Sequence, residues 1–160
     1  NLVVTGSRRK TFTLHNGTFN EENNAVGMSL GHVLYGDVTG DGREEAIVFL
    51  GVRTSGSAIP GCIYIYAIRK NRPSLLWAFT TGDRADGGLR QAYVEDRKLV
   101  VELYGRGTRP GGNLYGTEET GACCAKSVTR THYEWRRNKF RRSGKSEIFP
   151  NPARHSSPIW

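Results

Sequence analysis

The chain has 160 residues, enough for one domain that buries roughly two-thirds of the surface its unfolded form exposes, so folding requires neither a disulfide nor a metal. No stretch approaches the roughly 18 consecutive apolar residues of a membrane-spanning helix, so we expect no membrane span. The formal net charge of +8 favours anionic partners. Because the Arg and Lys residues are spread along the whole chain, the charge does not favour specific nucleic-acid binding.

The first half of the chain predicts strands separated by short turns. Residues 10–19 alternate polar and apolar side chains around Asn16-Gly17, the strongest short signal for a hairpin. Residues 25–35 continue as a strand that approaches an acidic loop. After that loop, residues 46–52 form an unbroken apolar run, which predicts a strand buried on both faces.

Three further hairpins follow, each with a polar turn between aromatic and β-branched residues. Their strands are predicted at 62–68 and 74–79, at 89–94 and 98–104, and at 127–135 and 139–142, the last running on toward Ile148. No window has the 3.6-residue period of a helix. The sequence therefore predicts a mainly β fold, an antiparallel meander of hairpins that forms a sandwich or a partial propeller-like domain. The domain is predicted over residues 1–149, with an extended proline-containing tail at 150–160.

The three cysteines leave two interpretations open. Adjacent Cys123 and Cys124 rarely bridge each other, so an oxidising compartment predicts a disulfide from Cys62 to one of the pair. The alternative is three reduced, buried thiols. No C-x-x-C spacing is present, so a zinc site with all three cysteines and His132 is not favoured.

The acidic segment between the strands has the spacing of a calcium loop. Oxygen-bearing groups fall at alternate positions from the first to the ninth: the side chains of Asp37, Thr39, Asp41 and Glu45, and the backbone carbonyl of Arg43. Calcium requires six to eight oxygen ligands, and a short loop supplies them only if it turns sharply. Glycine at position 42 permits that turn.

The loop is not an EF-hand, because its twelfth position is Val48 instead of a bidentate glutamate and a strand follows where a helix would begin. It is similar to the Asp-rich repeats of integrin-α-like β-propeller proteins, the FG-GAP and VCBS types. In those repeats the pattern Asp-x-Asn/Asp-x-Asp-Gly-x-x-Asp enters a strand and binds calcium. The present loop differs at Thr39 and Glu45, so the resemblance implies weaker binding than in the family pattern.

The wider segment Tyr35-Gly-Asp-Val-Thr-Gly-Asp-Gly-Arg-Glu-Glu-Ala-Ile-Val48 resembles a group of uncharacterised bacterial extracytoplasmic β domains. In both, a Gly/Ser loop and an aromatic strand follow, here 55–57 and 63–66. The resemblance implies a periplasmic or secreted location and calcium as the cofactor, and it implies no defined reaction. A metal-free turn, in which Asp37 and Asp41 accept backbone N–H bonds, is the alternative interpretation of the loop.

No catalytic constellation stands out elsewhere. A hydrolase would have to use the Gly-rich loop at 105–122. Its catalytic groups would be either nearby acids (Asp83, Asp86, Glu118 and Glu119) or the cysteine pair with His132. The basic stretch at 130–145 offers an anion site, with Arg136, Arg137, Lys139, Arg141 and Arg142 as its residues. Strand alternation there also fits a half-buried strand, with Tyr133 and Trp135 on one face and His132 and Glu134 on the other.

The sequence as a whole favours a non-enzymatic, extracytoplasmic binding or structural module with a calcium-stabilised loop. Its partners are expected to be a protein or an anionic polysaccharide. The alternatives are a hydrolase that uses the 105–122 loop and a basic module that binds polyanions.

Overall fold

The computed structural model describes residues 2–5, 9–21, 26–54, 61–82, 87–106 and 125–152. Eleven strands account for most of them, and no helix longer than one short turn occurs in these ranges. The strands are β1 (Leu2–Thr5), β2 (Arg9–Phe12), β3 (Thr18–Asn20), β4 (Val26–Gly36), β5 (Glu45–Thr54), β6 (Gly61–Arg69), β7 (Arg72–Thr80), β8 (Leu89–Glu95), β9 (Lys98–Tyr104), β10 (Ser127–Arg136) and β11 (Lys139–Pro150). The predicted mainly β class is confirmed.

The strands form two main antiparallel sheets. The first sheet has the order β3-β4-β5-β6-β7, and the second has the order β11-β10-β9-β8. Strands β1 and β2 pair separately. Each main sheet is a meander of sequential neighbours, as the run of hairpins predicts, and together they make a sandwich-like domain, the first of the two expected architectures.

The core lies between the two sheets. Alternate residues of β5, β6 and β9 point into it and are almost completely buried: Ile47, Phe49, Ile63, Ile65, Leu99, Val101 and Leu103. The aromatic ring of Trp77 on β7 packs 5.1 Å from those of both Tyr133 and Phe140, measured between centroids. These contacts join the edge of the first sheet to β10 and β11 of the second.

Three tight turns close the predicted hairpins. In each, both central residues have positive φ, the backbone geometry that matches the twist of the two strands. The pairs are Lys70 and Asn71 between β6 and β7, Asp96 and Arg97 between β8 and β9, and Arg137 and Asn138 between β10 and β11. All three hairpins are confirmed, and their polar turn residues lie where the sequence places them.

The hairpin predicted around Asn16-Gly17 is only partly correct. The turn is present, with φ of 51° and 79°, and it is closed by a bridge between His15 and Thr18. The strand before it, however, pairs with β1, while β3 after the turn pairs with β4. Each strand that flanks the turn pairs with a strand of a different sheet, so the turn connects two sheets.

The final strand β11 extends to Pro150, and Asn151 after it is buried. The Asn151 side chain donates a hydrogen bond of 2.9 Å to the carbonyl of Ala125. Strand β11 and the buried Asn151 therefore extend past residue 149, the predicted end of the domain. Residues 153–160 of the predicted tail lie outside the described residues. No described helix is long and apolar enough to cross a membrane.

Candidate functional site

The acidic loop connects β4 to β5 at one end of the sandwich. The ladder between the two strands closes with the pair Gly36 and Glu45, so the loop occupies residues 37–44. A Cβ added to Gly36 would lie 2.8 Å from Cγ2 of Val94 on β8. Only glycine permits this close approach, which seats the base of the loop against the second sheet.

The carboxylates of Asp37 and Asp41 accept hydrogen bonds from the backbone of the loop. Asp37 Oδ1 accepts the N–H of Gly40 at 2.6 Å, and its Oδ2 accepts that of Gly42 at 3.1 Å. Asp41 Oδ1 accepts the N–H of Arg43 at 2.9 Å. A carboxylate has about four lone-pair positions, so these bonds fix the two groups and still leave acceptor positions for a cation.

Glycine 42 makes the sharp turn that the spacing predicts. Its φ is +83°, and Gly40 has a φ of +77°, so both adopt the left-handed region that other residues rarely enter. With these two turns, the N–H groups of Gly40 and Gly42 point at Asp37.

Glu45 lies beneath the loop, with only 1% of the residue exposed, and its carboxylate holds the loop through hydrogen bonds. Its Oε2 accepts the N–H groups of Val38 and Thr39, each at 3.1 Å, and its Oε1 lies 3.4 Å from the hydroxyl of Thr39. Burial raises the pKa of Glu45, and the charge of Asp41 adds to that effect, whereas the hydrogen bonds from Thr39 and Val38 oppose it.

Four of the five predicted ligands thus lie in the loop, and the fifth, Glu45, is the first residue of β5. All of their donor atoms are hard oxygens, the type that calcium prefers over the nitrogen and sulfur ligands of zinc. Asp37, Thr39 and Asp41 lie toward the surface and Glu45 lies beneath them. In the described part of the chain, no three His, Cys, Asp or Glu side chains already converge as a metal-binding group. A bound calcium would therefore draw on Thr39 and the Arg43 carbonyl as well as the carboxylates.

An open cleft of about 540 Å³ adjoins the loop. The loop forms one wall, the β6–β7 turn forms the other, and Leu76 and Trp135 contribute apolar surface. Its charged lining mixes both signs: Asp41, Glu44 and Glu45 with Arg43, Arg69 and Lys70. Pockets that combine apolar surface with a few polar groups are where proteins usually hold ligands.

The predicted anion-binding residues surround the β10–β11 turn and continue along β11. All five are exposed: Arg136, Arg137, Lys139, Arg141 and Arg142. Arg136 Nε donates to Glu134 at 2.9 Å. The alternation predicted for β10 is confirmed, because Tyr133 is in the core and Trp135 packs against it, whereas His132 and Glu134 occupy the outer face.

Cys62 is buried on β6, and its thiol lies 3.8 Å from the hydroxyl of Thr80. Burial raises the pKa of this thiol, which keeps it protonated and unreactive at neutral pH. Cys123 and Cys124 lie outside the described residues, so the disulfide stays a prediction. The hydrolase alternative also falls mostly outside them, because 83–86 and 107–124 are not described.

Sequence reasoning missed a second buried carboxylate, Glu102, on the outer face of the second sheet. Its exposure is 0%. Oε2 accepts hydrogen bonds from Arg90 and, at 2.9 Å, from the amide of Gln91, and Oε1 accepts one from Arg130 Nε at 2.8 Å. The signal was a single acid inside the apolar strand Lys98-Leu-Val-Val-Glu-Leu-Tyr104, a residue that is buried only when it is paired.

The chain matches no protein-family model, and no curated protein or solved structure shows significant similarity to it.

Proposed function

We propose that this chain is a non-enzymatic, extracytoplasmic binding or structural module whose β4–β5 loop binds calcium. One observation carries the proposal: the Asp37 and Asp41 carboxylates are fixed by N–H groups of their own loop, with acceptor positions left over, beside the hydroxyl of Thr39 and the carboxylate of Glu45. The resemblance to integrin-α-like Asp-rich repeats supports the same ion.

Calcium would relieve a cost that the loop has without it. Four acids lie within nine residues, Asp37, Asp41, Glu44 and Glu45, and the charge of Asp41 helps to raise the pKa of Glu45. A divalent cation neutralises that repulsion and adds to stability by about RT ln(1 + [Ca²⁺]/Kd), which approaches 2.7 kcal/mol at a hundredfold excess over Kd. Thr39 is a neutral ligand, so the affinity belongs in the weak range of extracellular modules, about 10⁻⁴ to 10⁻³ M.

A weak calcium site fits an extracytoplasmic location, where calcium is far more abundant than in cytosol. The formal charge of +8 and the exposed arginines of the β10–β11 hairpin favour an anionic polysaccharide or an acidic protein as the partner. The cleft beside the loop provides a concave surface at the same end of the domain.

Thermal unfolding of the purified chain, in several millimolar calcium and in a chelator, tests the calcium proposal. We expect calcium to raise Tm by several degrees and equimolar magnesium to raise it less, because the loop's flexible oxygen set does not meet magnesium's octahedral demand.

Asp41→Asn should abolish most of the calcium shift. Glu44→Gln is the matched control, since Glu44 is an exposed acid in the same loop and is not a predicted ligand. An equal Tm in calcium and chelator, or an equal loss of the shift in both variants, would refute a site at this loop.

A further inference from the structure

The open cleft beside the acidic loop has walls from different parts of the chain. The loop between β4 and β5 forms one wall, and the turn between β6 and β7 forms the other. Trp135, next to the β10–β11 turn, adds to the lining from the second sheet. The cleft volume of about 540 Å³ falls within the range of sites that hold a small ligand, about 300–1,000 Å³.

Apolar surface lies together on the side of the cleft that faces the β6–β7 hairpin. Ala67 on β6, Leu76 on β7 and Trp135 all contribute to it. Leu76 and Trp135 are half-buried and also pack on the main core. The Trp135 ring lies against that of Phe140, with centroids 4.9 Å apart, so it is held in place. A surface that is already ordered accepts an apolar group at a lower cost in conformational entropy.

Among the described residues, three cations line the cleft: Arg43 on the loop, and Arg69 and Lys70 at the β6–β7 turn. All three are exposed, and within the described ranges no ion pair or side-chain hydrogen bond engages their charged ends. Arg69 is two residues from Ala67 on β6, so strand alternation places both on the same face. A cation without a counter-charge therefore lies beside the apolar surface.

The acids of the cleft belong to the proposed calcium loop. Asp41, Glu44 and Glu45 oppose the three cations, so the lining is electrically balanced in the absence of calcium. Four of the five predicted calcium ligands line the cleft: Thr39, Asp41, Arg43 and Glu45. Calcium takes six to eight oxygens, so five single contacts leave a position for an oxygen of a ligand. The two charges of the ion would also make the lining cationic.

A carboxylate fits both the ion and the cations. Its oxygens are the type of ligand that calcium prefers, and it forms paired hydrogen bonds with arginine. A carboxylate beside an apolar group is the chemistry of a peptide's C-terminal residue, in which the carboxylate and the side chain are attached to the same carbon. A uronic sugar also has a carboxylate, but its rim of hydroxyls would leave the aliphatic surface of Ala67 and Leu76 without an apolar partner.

We propose that this cleft binds the C-terminal carboxylate of a peptide or protein whose last residue is apolar. The carboxylate lies at Arg69 and Lys70, and the last side chain packs on Leu76 and Trp135. Because the cleft is open, the preceding residues can leave it. The proposal names the group that the binding module recognises, and it rests on the proposed calcium site because calcium makes the lining cationic.

Three short peptides test the proposal by isothermal titration calorimetry of the full chain, in several millimolar calcium and at low ionic strength to limit screening. Acetyl-Gly-Gly-Leu with a free C-terminal carboxylate is the probe. Its C-terminal amide removes only the charge, and acetyl-Gly-Gly-Gly removes only the apolar side chain. Each change should weaken binding by about tenfold, the effect of one lost hydrogen bond to a charged group or one lost apolar side chain.

A chelator should weaken binding of the free peptide by about tenfold as well, and by linkage the peptide should strengthen calcium binding by the same factor. Arg69→Gln with Lys70→Gln should weaken the free peptide by about tenfold and leave its amide unchanged. Arg97→Gln is the matched control, because Arg97 is an exposed cation with positive φ at the β8–β9 turn and does not line the cleft. Tm of each variant, with and without calcium, shows whether the fold and the calcium site are intact.

The outcomes separate this inference from the proposed function. A calcium shift in Tm without binding of the free peptide would overturn the inference and leave the calcium site standing, whereas the absence of a calcium shift would overturn both. Equal affinity for the peptide and its amide would refute the role of the carboxylate. Binding that is unchanged in chelator would refute the role of calcium. Binding of an oligogalacturonate in place of the peptide would assign the cleft to an acidic sugar.

Discussion

The described part of the chain contains two buried glutamates whose surroundings differ in one respect. Glu45 is 1% exposed and Glu102 is 0% exposed, yet their partners are of different kinds. Glu45 accepts hydrogen bonds from neutral groups, the backbone N–H groups of Val38 and Thr39. Glu102 lies between the guanidinium groups of Arg90 and Arg130, with Gln91 as a third partner.

The difference teaches that burial of a carboxylate can serve two ends. At Glu45 the carboxylate serves as a hydrogen-bond acceptor, and its negative charge destabilises the folded state, as the burial-raised pKa indicates. At Glu102 the protein uses the charge, which joins β8, β9 and β10 and in turn raises the pKa of Arg130. Replacement of each glutamate by glutamine removes the charge and keeps an oxygen, so it separates the two roles.

The largest effect is expected at the charged cluster. Glu102→Gln removes the buried counter-charge of Arg90 and Arg130, so the free energy of unfolding should fall by about 3 kcal/mol. This is the lower end for a broken buried pair, because the two arginines keep 22% and 33% exposure. Urea unfolding measures the change. The control is Glu147→Gln, because Glu147 is 60% exposed and meets Arg130 at 3.4 Å, and it should cost about 0.3 kcal/mol. Similar losses in the two variants would contradict the distinction.

The second effect concerns the acceptor in the loop. Glu45→Ala leaves the N–H groups of Val38 and Thr39 without a partner, and it should lower the free energy of unfolding by about 2 kcal/mol. Glu44→Ala, on the exposed neighbour, should change it by less than about 0.5 kcal/mol. Equal stability of the two variants would mean that Glu45 does not hold the loop.

A third effect concerns the turn that presents the Gly42 N–H to Asp37. Gly42→Ala adds a side chain in open space, so its only penalty is the φ of +83°, about 1 kcal/mol. Gly31→Ala is the matched control, because the added Cβ would make an ordinary 3.5 Å contact with the carbonyl oxygen of Phe49 and Gly31 has no positive φ. Tm should fall for the first variant and stay within a degree or two for the second.

The smallest effect is expected for Glu45→Gln in a chelator, about 0.5 kcal/mol, since glutamine still offers an oxygen to the two N–H groups. The pKa of Glu45 is raised in the folded state, so the folded state holds a proton more readily than the unfolded state. Stability of the wild type, relative to Glu45→Gln, should therefore decline as pH rises from the ordinary carboxyl range, near 4.5, toward 7. A rise in this relative stability over the same pH range would show that the folded state favours the ionised carboxylate.

Local patterns were sufficient for most of the strands and for three of the turns, although no strand was predicted at β1. Asn71, Asp96 and Asn138 each sit at a hairpin turn that their flanking alternation predicts, because turn chemistry and period are properties of neighbours in sequence. The spacing of Asp37, Gly42 and Glu45 likewise located the acidic loop, whose bonds join residues at most seven apart.

Other features depend on residues that are distant in sequence. The turn at Asn16-Gly17 was correct, yet its preceding strand pairs with β1, because pairing is a competition among all available strands. Glu102 pairs with Arg130 from 28 positions away. The strand register likewise places Tyr35, Ala46, Tyr66 and Leu75 side by side although they belong to four different strands. No short stretch of the sequence contains either group of residues.

By itself, the sequence determined the class of the fold, the hairpins and the position of the loop, since each depends on the conformational preferences of adjacent residues. Only the tertiary structure decided that Glu45 faces inward, that Glu102 is paired with two arginines and that Tyr35 and Tyr66 share one face of the first sheet. The physical reason is that burial and charge pairing are set by what lies across the sheets, and strand register brings those groups together.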